Sequence, residues 1–334
     1  MLKVVVIGTG WWGMELGKAA KGRPDKVELG GCCSLSEAEC AKFIAAYGGK
    51  RWNSYEEVLA DKSVDAVMLA TPHSLHWTQI IAAAEAGKHV FCEKPFTLSV
   101  ETASKAIRAC EKAKVVLAVG HNRRFLPGPR RMKAMIDAGE LGTIIHVDAH
   151  YSGNIEGRYP KEHWRVQQSE IPAGSTTPMG LHVVDTLTWL LGPVARLVAI
   201  TKHQALSYPL DDTCAALFEL NSGVTGQYSA HLAVAMSSML KVYGTKANLE
   251  CRNAFSELTI EPTDASKPRE FIRYTHDDSL QQEVAALADA AAGGAPYPIK
   301  PLEALRNIGV LEAIMKSAAS GNSWVSVAQG LTAQ

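Results

Sequence analysis

The first third of the sequence alternates between short apolar runs and segments of helical character. Runs that are apolar on both faces are typical of parallel strands covered by helices on each side. Such runs occur at LKVVVIG (2–8), VELGGCC (27–33), AVMLA (66–70), HVFC (89–92) and VVLAVG (115–120). Between them, helices are predicted over 12–21, 37–47, 55–59, 75–86 and 100–112. We therefore expect right-handed βαβ units and an open, doubly wound parallel sheet, which is an α/β fold.

The pattern changes near residue 121. The loop RFLPGPR (124–130) predicts a domain boundary, and it is followed by a helix over 131–138 and a series of long strand-like segments. Few helical segments interrupt that series, so we expect an α+β domain with a large, open, mostly antiparallel sheet. The predicted domains are 1–123 and 124–334. Two helices are predicted near the end, over 279–292 and 302–319, and an alternative to this division has the latter pack back on the first domain.

Composition excludes several classes of protein. Of the 334 residues, 47% are hydrophobic and 20% charged, and 34 basic residues balance 34 acidic ones, so neither nucleic acid nor an acidic membrane is favoured as a partner. The seven cysteines form no CxxC pair, and adjacent Cys32 and Cys33 lack zinc-ligand spacing, which favours reduced thiols in a cytoplasmic protein. The sequence starts directly with a strand and has no apolar run of about 20 residues, so neither a signal peptide nor a membrane span is predicted.

A glycine-rich turn follows the first apolar run. Gly8-Thr-Gly-Trp-Trp-Gly13 has GxGxxG spacing and opens a predicted helix. In this context the first glycine allows a tight turn, the second lets backbone amides approach a pyrophosphate, and the third lets helix and strand pack closely. The helix N-terminus then faces the phosphates. We therefore predict a dinucleotide cofactor, NAD or NADP, bound by Gly8, Thr9, Gly10, Trp11, Trp12 and Gly13.

The end of the second strand bears on the choice between NAD and NADP. A carboxylate at this position would bind the ribose 2′-hydroxyl, but the sequence reads Cys33-Ser34-Leu35-Ser36. Without a carboxylate, a 2′-phosphate meets no repulsion, and serine hydroxyls can bond to it. Leu35 stands where an arginine would give the strongest phosphate contact. The interpretation favours NADP slightly, with NAD as the alternative.

Lys94 lies directly after the apolar run 89–92 and Glu93, and it precedes Pro95. In such sheets, ligands bind outside the carboxyl ends of the strands, which is where this lysine is placed. Desolvation there, or a nearby positive charge, would lower the pKa of the amine and suit it to proton transfer. Taken by themselves, the residues are equally compatible with an ordinary surface lysine in a turn.

Several motifs, in one order along nearly the whole chain, resemble the glucose–fructose oxidoreductase/inositol dehydrogenase/MocA (Gfo/Idh/MocA) family. They are GTGWWG (8–13), TPHSLH (71–76), AGKHVFCEKP (86–95), GHNRRFLP (120–127), WR (164–165), HVVD (182–185) and SAASGNSWVSV (317–327). The resemblance implies an N-terminal Rossmann domain and a C-terminal domain whose open sheet serves substrate binding and oligomer contacts. It also implies NAD(P)-dependent hydride transfer to or from a sugar, polyol or related cyclic alcohol or ketone.

The resemblance further implies roles for individual residues. Lys94 and His182 would be catalytic. The cofactor would be bound beyond the glycine-rich turn by Ser34, Leu35, Thr71, His73, His76, Glu93 and Lys94. The substrate would be bound by Lys94, Arg123, Trp164, Arg165, His182 and Asp185. His73 and His76 have HxxH spacing, but no third ligand follows at a useful distance along the sequence, so no metal is predicted.

One position departs from the family pattern. Many members have an aspartate four residues before the histidine, whereas this chain reads AGSTTPMGLH (173–182) with Pro178 at that place. Proline can neither share a proton nor orient an imidazole. Either His182 acts with Lys94 alone, or Asp185 compensates by an i,i+3 contact, or the substrate differs from a simple hexose or inositol.

Other functions stay open at this point. The alternatives are a reductase or dihydrodiol dehydrogenase of aromatic or sugar-derivative catabolism, an NAD-dependent glycoside-cleaving enzyme, and a cofactor-sensing regulatory protein. The presence of both Lys94 and His182 argues against the sensor. The expected partners are a small-molecule substrate and further copies of the chain, in a homodimer or homotetramer.

Overall fold

The computed structural model describes residues 1–275 and 278–332 of the chain. The described residues fall into two units. The first is made of residues 1–122, 278–304 and 331–332, and the second of residues 123–275 and 305–330. Residues 278–304 thus group with the first unit, whereas the sequence-based division placed them in the second domain. Most of the helix predicted over 302–319 groups with the second unit.

A six-stranded parallel sheet forms the centre of the first unit, which confirms the predicted doubly wound sheet. Its strands are β1 (Leu2–Ile7), β2 (Val27–Cys33), β3 (Lys50–Trp52), β4 (Ala66–Leu69), β5 (His89–Glu93) and β6 (Leu117–Gly120). The helices between them are α1 (Trp11–Lys21), α2 (Glu37–Tyr47), α3 (Tyr55–Ala60), α4 (His73–Glu85) and α5 (Val100–Ala113). The strand order is β3-β2-β1-β4-β5-β6, so the order reverses between β1 and β4, where ligands bind in such sheets.

The second unit contains a nine-stranded sheet of order β14-β13-β12-β11-β7-β10-β9-β8-β15. Its strands are β7 (Ile144–Asn154), β8 (Val194–Lys202), β9 (Thr213–Leu220), β10 (Thr225–His231), β11 (Ala233–Gly244), β12 (Ala247–Arg252), β13 (Glu257–Pro262), β14 (Glu270–Arg273) and β15 (Val325–Ser326). The β7–β10 pair is parallel and the other pairs described are antiparallel, which confirms the predicted mostly antiparallel sheet. The remaining helices within the described residues are α6 (Pro127–Asp137), α7 (Gly180–Leu191), α8 (Ser279–Ala291) and α9 (Pro301–Ala319).

Helix α8 belongs to the first unit because side chains fix it and the following loop there. Lys26 Nζ lies 2.6 Å from Asp289 Oδ1, and Gln281 fills the space beside Gly22, the C-cap of α1. The buried Tyr297 donates its hydroxyl hydrogen to the Val119 carbonyl of β6 at 3.2 Å. These contacts join residues far apart in sequence, which a reading of local patterns does not detect.

The core of the second unit lies on one face of its sheet. Along β9, Cys214, Ala216, Phe218 and Leu220 are buried, whereas Ala215 and Leu217 between them are exposed. This period-two alternation is what a sheet covered on one face requires. The covering cluster includes residues of α7 and α9. Residues 180–187 are all buried, so the first two turns of α7 lie in the interior. No helix in the described part of the chain has the length and apolarity needed to cross a membrane.

Candidate functional site

The glycine-rich turn between β1 and α1 has the geometry that its spacing predicts. Gly8 has φ +87°, and a Cβ there would lie 2.9 Å from the Ala70 carbonyl oxygen of the loop after β4. A Cβ on Gly13 would lie 1.9 Å from the Gly8 carbonyl oxygen, so α1 packs directly against the turn. Gly10 is the N-cap, has no side-chain cap, and faces open space. Backbone N–H groups at the start of α1 are therefore available to an anion.

Side chains of the same turn fit a dinucleotide. Thr9 is buried, and its Oγ1 has no hydrogen-bond partner among the described residues. The buried Nε1 of Trp12 likewise has no hydrogen-bond acceptor among the described residues. Trp11 is exposed and packs edge-on against Trp12 at 5.1 Å between ring centroids. A buried polar atom without a partner is costly, so a bound ligand with phosphate and ribose oxygens would stabilise this arrangement.

The loop after β2 carries the predicted ribose contacts. Ser34 is half-buried, Leu35 is fully exposed, and the Ser36 hydroxyl caps α2 by accepting from the Glu39 backbone N–H at 3.3 Å. A cation also lies here that the sequence did not indicate. Arg51 of β3 donates from Nη1 to Glu37 Oε1 at 2.7 Å, and this hydrogen bond raises the pKa of Arg51 above its ordinary value.

The cysteines of β2 face the interior. Burial raises the pKa of the Cys32 thiol to about 12 and that of the Cys33 thiol to about 11. Both thiols are therefore protonated at neutral pH and are poor nucleophiles, which agrees with their interpretation as core residues.

Lys94 follows β5 at the carboxyl edge of the parallel sheet and is half-buried. The Lys94–Pro95 peptide bond is cis. His76 on α4 is fully buried, with Nδ1 2.9 Å from the Pro95 carbonyl oxygen and Nε2 3.0 Å from the Thr71 carbonyl oxygen. This imidazole therefore joins the loops after β4 and β5. It supports the backbone beside Lys94, which differs from the direct cofactor contact expected of His76.

The other predicted residues of this edge have distinct positions. The Thr71 hydroxyl donates to Gln79 Oε1 at 2.6 Å, and the buried His73 ring lies 5.8 Å from the His76 ring. Glu93 ends β5 opposite Gly120, where a Cβ would lie 2.9 Å from Glu93 Oε1. The absence of a side chain at Gly120 leaves room for this buried carboxylate.

In the second unit, His182 lies in the first turn of α7 and is 9% exposed. Its ring centroid is 5.5 Å from that of Tyr151 on β7. The Tyr151 hydroxyl accepts a hydrogen bond from Arg123 Nη2 at 3.0 Å. The structure thus groups His182 with Arg123, which the sequence indicated, and with Tyr151, which it did not. The tyrosine is one of several aromatic residues in strand-like runs, so no local signal distinguished it.

Asp185 does not have the position expected of a substrate-binding acid. Its side chain is 1% exposed and forms a two-pronged ion pair with the equally buried Arg124, at 2.9 Å from Nε to Oδ2 and 2.7 Å from Nη2 to Oδ1. Asn307 of α9 donates to Oδ1 at 2.8 Å. Because both carboxylate oxygens are engaged within the interior, Asp185 is placed to stabilise the second unit and is not accessible to a substrate.

Trp164 and Arg165 lie in a short 3₁₀ turn of the second unit, and both are half-buried. The Arg165 guanidinium carbon is 4.2 Å from the centroid of the Trp164 ring, and His163 stacks on the same ring at 5.8 Å. The turn therefore presents a flat aromatic and cationic surface.

Among the described residues, no group of three or more His, Cys, Asp or Glu side chains has the arrangement of a metal site.

Comparison with known proteins agrees with this fold. Residues 2–121 match the family described as "Oxidoreductase family, NAD-binding Rossmann fold", and residues 130–250 match the "GFO/IDH/MocA C-terminal domain". The chain is 29% identical over 277 residues to D-xylose 1-dehydrogenase (NADP(+)) 2 of Haloferax volcanii, covering 81% of this chain and 83% of that protein. It is 30% identical over 228 residues to 1,5-anhydro-D-fructose reductase of Ensifer adhaerens, covering 67% and 68%.

Solved structures extend the comparison to nearly the full length of the fold. Levoglucosan dehydrogenase in complex with NADH and L-sorbose superposes with a TM-score of 0.89 at 23% identity, covering 98% of this chain and 99% of that one. Because both family matches and the two-sheet architecture agree, the chain belongs to the Gfo/Idh/MocA oxidoreductase family.

Proposed function

We propose that the protein transfers a hydride between NADP or NAD and a sugar, a polyol or a related cyclic alcohol or ketone. The observation that carries this proposal is the position of Lys94 at the carboxyl edge of the parallel sheet, the edge that also bears the glycine-rich turn. Relatives named as a xylose dehydrogenase and an anhydrofructose reductase support the substrate class.

The residues have separate tasks in this reaction. A bound nicotinamide supplies the hydride acceptor or donor. Backbone N–H groups of the glycine-rich turn bind the pyrophosphate. When an alcohol is oxidised, its hydroxyl proton must leave as the hydride leaves carbon, and the Lys94 amine takes or orients that proton. His182 is the second catalytic residue and exchanges a proton with a substrate hydroxyl, while Arg123, Trp164 and Arg165 bind other parts of the substrate.

The proposal includes NADP as the preferred cofactor, because Ser34 leaves no carboxylate at the end of β2. It also includes a homodimer or homotetramer acting in the cytoplasm. The nine-stranded sheet has exposed apolar side chains, among them Ile200 and Leu217, on the face away from its helices, and such side chains favour contact with another copy.

The test combines a substrate screen with a variant. Nicotinamide fluorescence is followed with sugars, polyols and their keto derivatives, first with wild type and then with Lys94→Ala. We expect the variant to lower turnover by roughly 10²–10⁴ while NADPH affinity changes by only a few-fold, which is the usual reach of a general acid–base group. Lys105→Ala is the control, since Lys105 is an exposed lysine paired with Glu101 on α5.

Two results would contradict the proposal. Loss of NADPH affinity with unchanged turnover would make Lys94 a binding residue instead of a catalytic one. Tight NADPH binding without turnover of any compound in the panel would favour a cofactor-sensing protein.

A further inference from the structure

The loop after β2 lacks the arginine that would bind a 2′-phosphate, yet the neighbouring edge strand supplies a cation close to that loop. We propose that Arg51 on β3 is the residue that recognises the 2′-phosphate of NADP, and that the phosphate displaces Glu37 as the partner of its guanidinium. This inference rests on the proposed function, because it concerns the adenosine end of the cofactor.

Strand pairing places Arg51 at the required edge. Strands β2 and β3 are parallel, with Cys32 opposite Arg51 and Cys33 opposite Trp52. Ser34 and Leu35 are the next residues after β2, and α2 begins at Glu37. The Arg51 guanidinium reaches this helix start, as its 2.7 Å hydrogen bond to Glu37 shows. It therefore lies beside the loop that meets the adenosine ribose in the proposed complex.

The Arg51 guanidinium has N–H donors beyond the one that it uses for Glu37. It carries five N–H groups in a rigid fork; the hydrogen bond to Glu37 uses one from Nη1, and the Cys40 side chain also interacts with the guanidinium. The Nε atom is buried, and it has no hydrogen-bond partner within residues 1–275 and 278–332. A phosphate has three acceptor oxygens, so it can engage the fork by two parallel hydrogen bonds.

The ion pair between Arg51 and Glu37 is weak enough for another anion to displace the Glu37 carboxylate. The Glu37 side chain is 78% exposed and that of Arg51 33% exposed, so water and salt screen their attraction. A phosphate carries about 1.5 to 2 negative charges at neutral pH and outcompetes one carboxylate. A ribose 2′-hydroxyl is neutral and leaves the Arg51–Glu37 pair unchanged. Discrimination between NADP and NAD then follows from the charge at one position.

A different role for Glu37 predicts the opposite preference. Its carboxylate lies three residues after Ser34, in the first turn of α2. If this carboxylate accepted a hydrogen bond from the 2′-hydroxyl, it would favour NAD and repel NADP. Substitution of each charged residue in turn separates the two roles.

The experiment measures nucleotide binding to the purified protein by calorimetry, without substrate. NADPH and NADH are titrated into wild type, Arg51→Gln, Glu37→Gln and Lys50→Gln. Lys50→Gln is the matched control, because it removes the same charge one residue away. The Lys50 Nζ lies 4.3 Å from the centroid of the Trp52 ring and 3.2 Å from Asp61 Oδ2. A second titration uses 2′,5′-ADP and 5′-ADP, which differ only by the phosphate in question.

We expect Arg51→Gln to weaken NADPH binding by about 10- to 100-fold, the usual effect of losing hydrogen bonds to a charged group, and to change NADH binding less than threefold. The unchanged NADH affinity also shows that the variant is folded. Glu37→Gln should strengthen NADPH binding, since a competing anion is removed. Lys50→Gln should change both affinities by less than threefold.

Three outcomes would overturn the inference: equal losses in Arg51→Gln and Lys50→Gln, an NADPH affinity that does not respond to Arg51→Gln, or a loss of NADH affinity in Glu37→Gln. In each of these cases the cofactor still binds, so the proposed function stands. Failure of wild type to bind either nucleotide would instead remove the proposed function together with this inference.

Discussion

Replacement of Asp185 by asparagine should destabilise the second unit by about 3–5 kcal/mol. The Arg124 and Asp185 side chains are 2% and 1% exposed, so the pair is almost wholly desolvated. Removal of one partner leaves the guanidinium charge buried without compensation, which costs about 3–5 kcal/mol. Asparagine keeps the shape of the side chain and one acceptor oxygen, so we expect the lower end of this range. A loss of this size is a large share of the roughly 5–15 kcal/mol that stabilises a typical domain.

The assay joins urea unfolding with hydrogen exchange of peptides that cover α7. Exchange in α7 should become faster in Asp185→Asn, because the buried pair fixes this helix. The control is Asp137→Asn, which removes a carboxylate from the exposed Lys133–Asp137 pair of α6 and should cost under about 0.5 kcal/mol.

The double variant Arg124→Met/Asp185→Leu tests the physical reason. Removal of both charges avoids an unpaired buried ion, and apolar replacements of similar volume are often neutral or stabilising. The double variant should therefore be more stable than Asp185→Asn, although Asn307 loses an acceptor. An effect of Asp185→Asn below about 1 kcal/mol, or a double variant less stable than Asp185→Asn, would refute the reasoning.

Two further changes have defined effects. Ser34→Asp should weaken NADPH binding at least about tenfold relative to NADH binding, equal to ~1.4 kcal/mol, because the new carboxylate repels a 2′-phosphate. A wild-type protein that already binds NADH more tightly than NADPH would contradict the proposed preference for NADP. Gly180→Ala should destabilise the second unit by about 1–3 kcal/mol, because the added Cβ would lie 1.6 Å from the Tyr228 hydroxyl oxygen, and addition of Tyr228→Phe should restore part of the loss in thermal unfolding.

The parallel sheet could be predicted because its central strands are apolar on both faces, as in β1, where Val4, Val5 and Val6 are fully buried. Strand β3 escaped prediction for the opposite reason. It has only three residues and lies at the sheet edge, and of these only Trp52 is buried. A strand with two charged residues and one apolar residue has no periodicity to detect.

Part of the candidate site could be predicted because its residues are consecutive, as in the glycine-rich turn and the Glu93-Lys94-Pro95 segment. The role of Asp185 could not, since its partners Arg124 and Asn307 are 61 and 122 residues away. In sequence, a carboxylate three residues after a histidine on a helix looks the same whether it faces a substrate or an arginine. The position of Arg51 could not be predicted for a related reason, because only strand pairing brings it to the loop after β2.

The last prediction concerns Pro178, which stands four residues before His182. Residue 178 follows a 3₁₀ turn and is half-buried, and the His182 backbone N–H donates to the Met179 carbonyl as α7 begins. Residue 178 lies just before Met179, the N-cap of α7, so it is not on the same helix face as His182, but an aspartate there would add a negative charge close to the start of the helix that carries the imidazole. A carboxylate there favours the protonated ring.

Pro178→Asp should therefore move the acid limb of the pH–rate profile for alcohol oxidation to higher pH, because the base must lose its proton before it can accept another. Pro178→Asn makes the same backbone change without the charge and should leave the limb where wild type has it. The measurement is kcat/KM against pH with a sugar identified in the screen. Equal shifts in the two variants would mean that backbone change, and not charge, is responsible. An acid limb unchanged in His182→Ala would remove His182 from proton transfer and leave that task to Lys94.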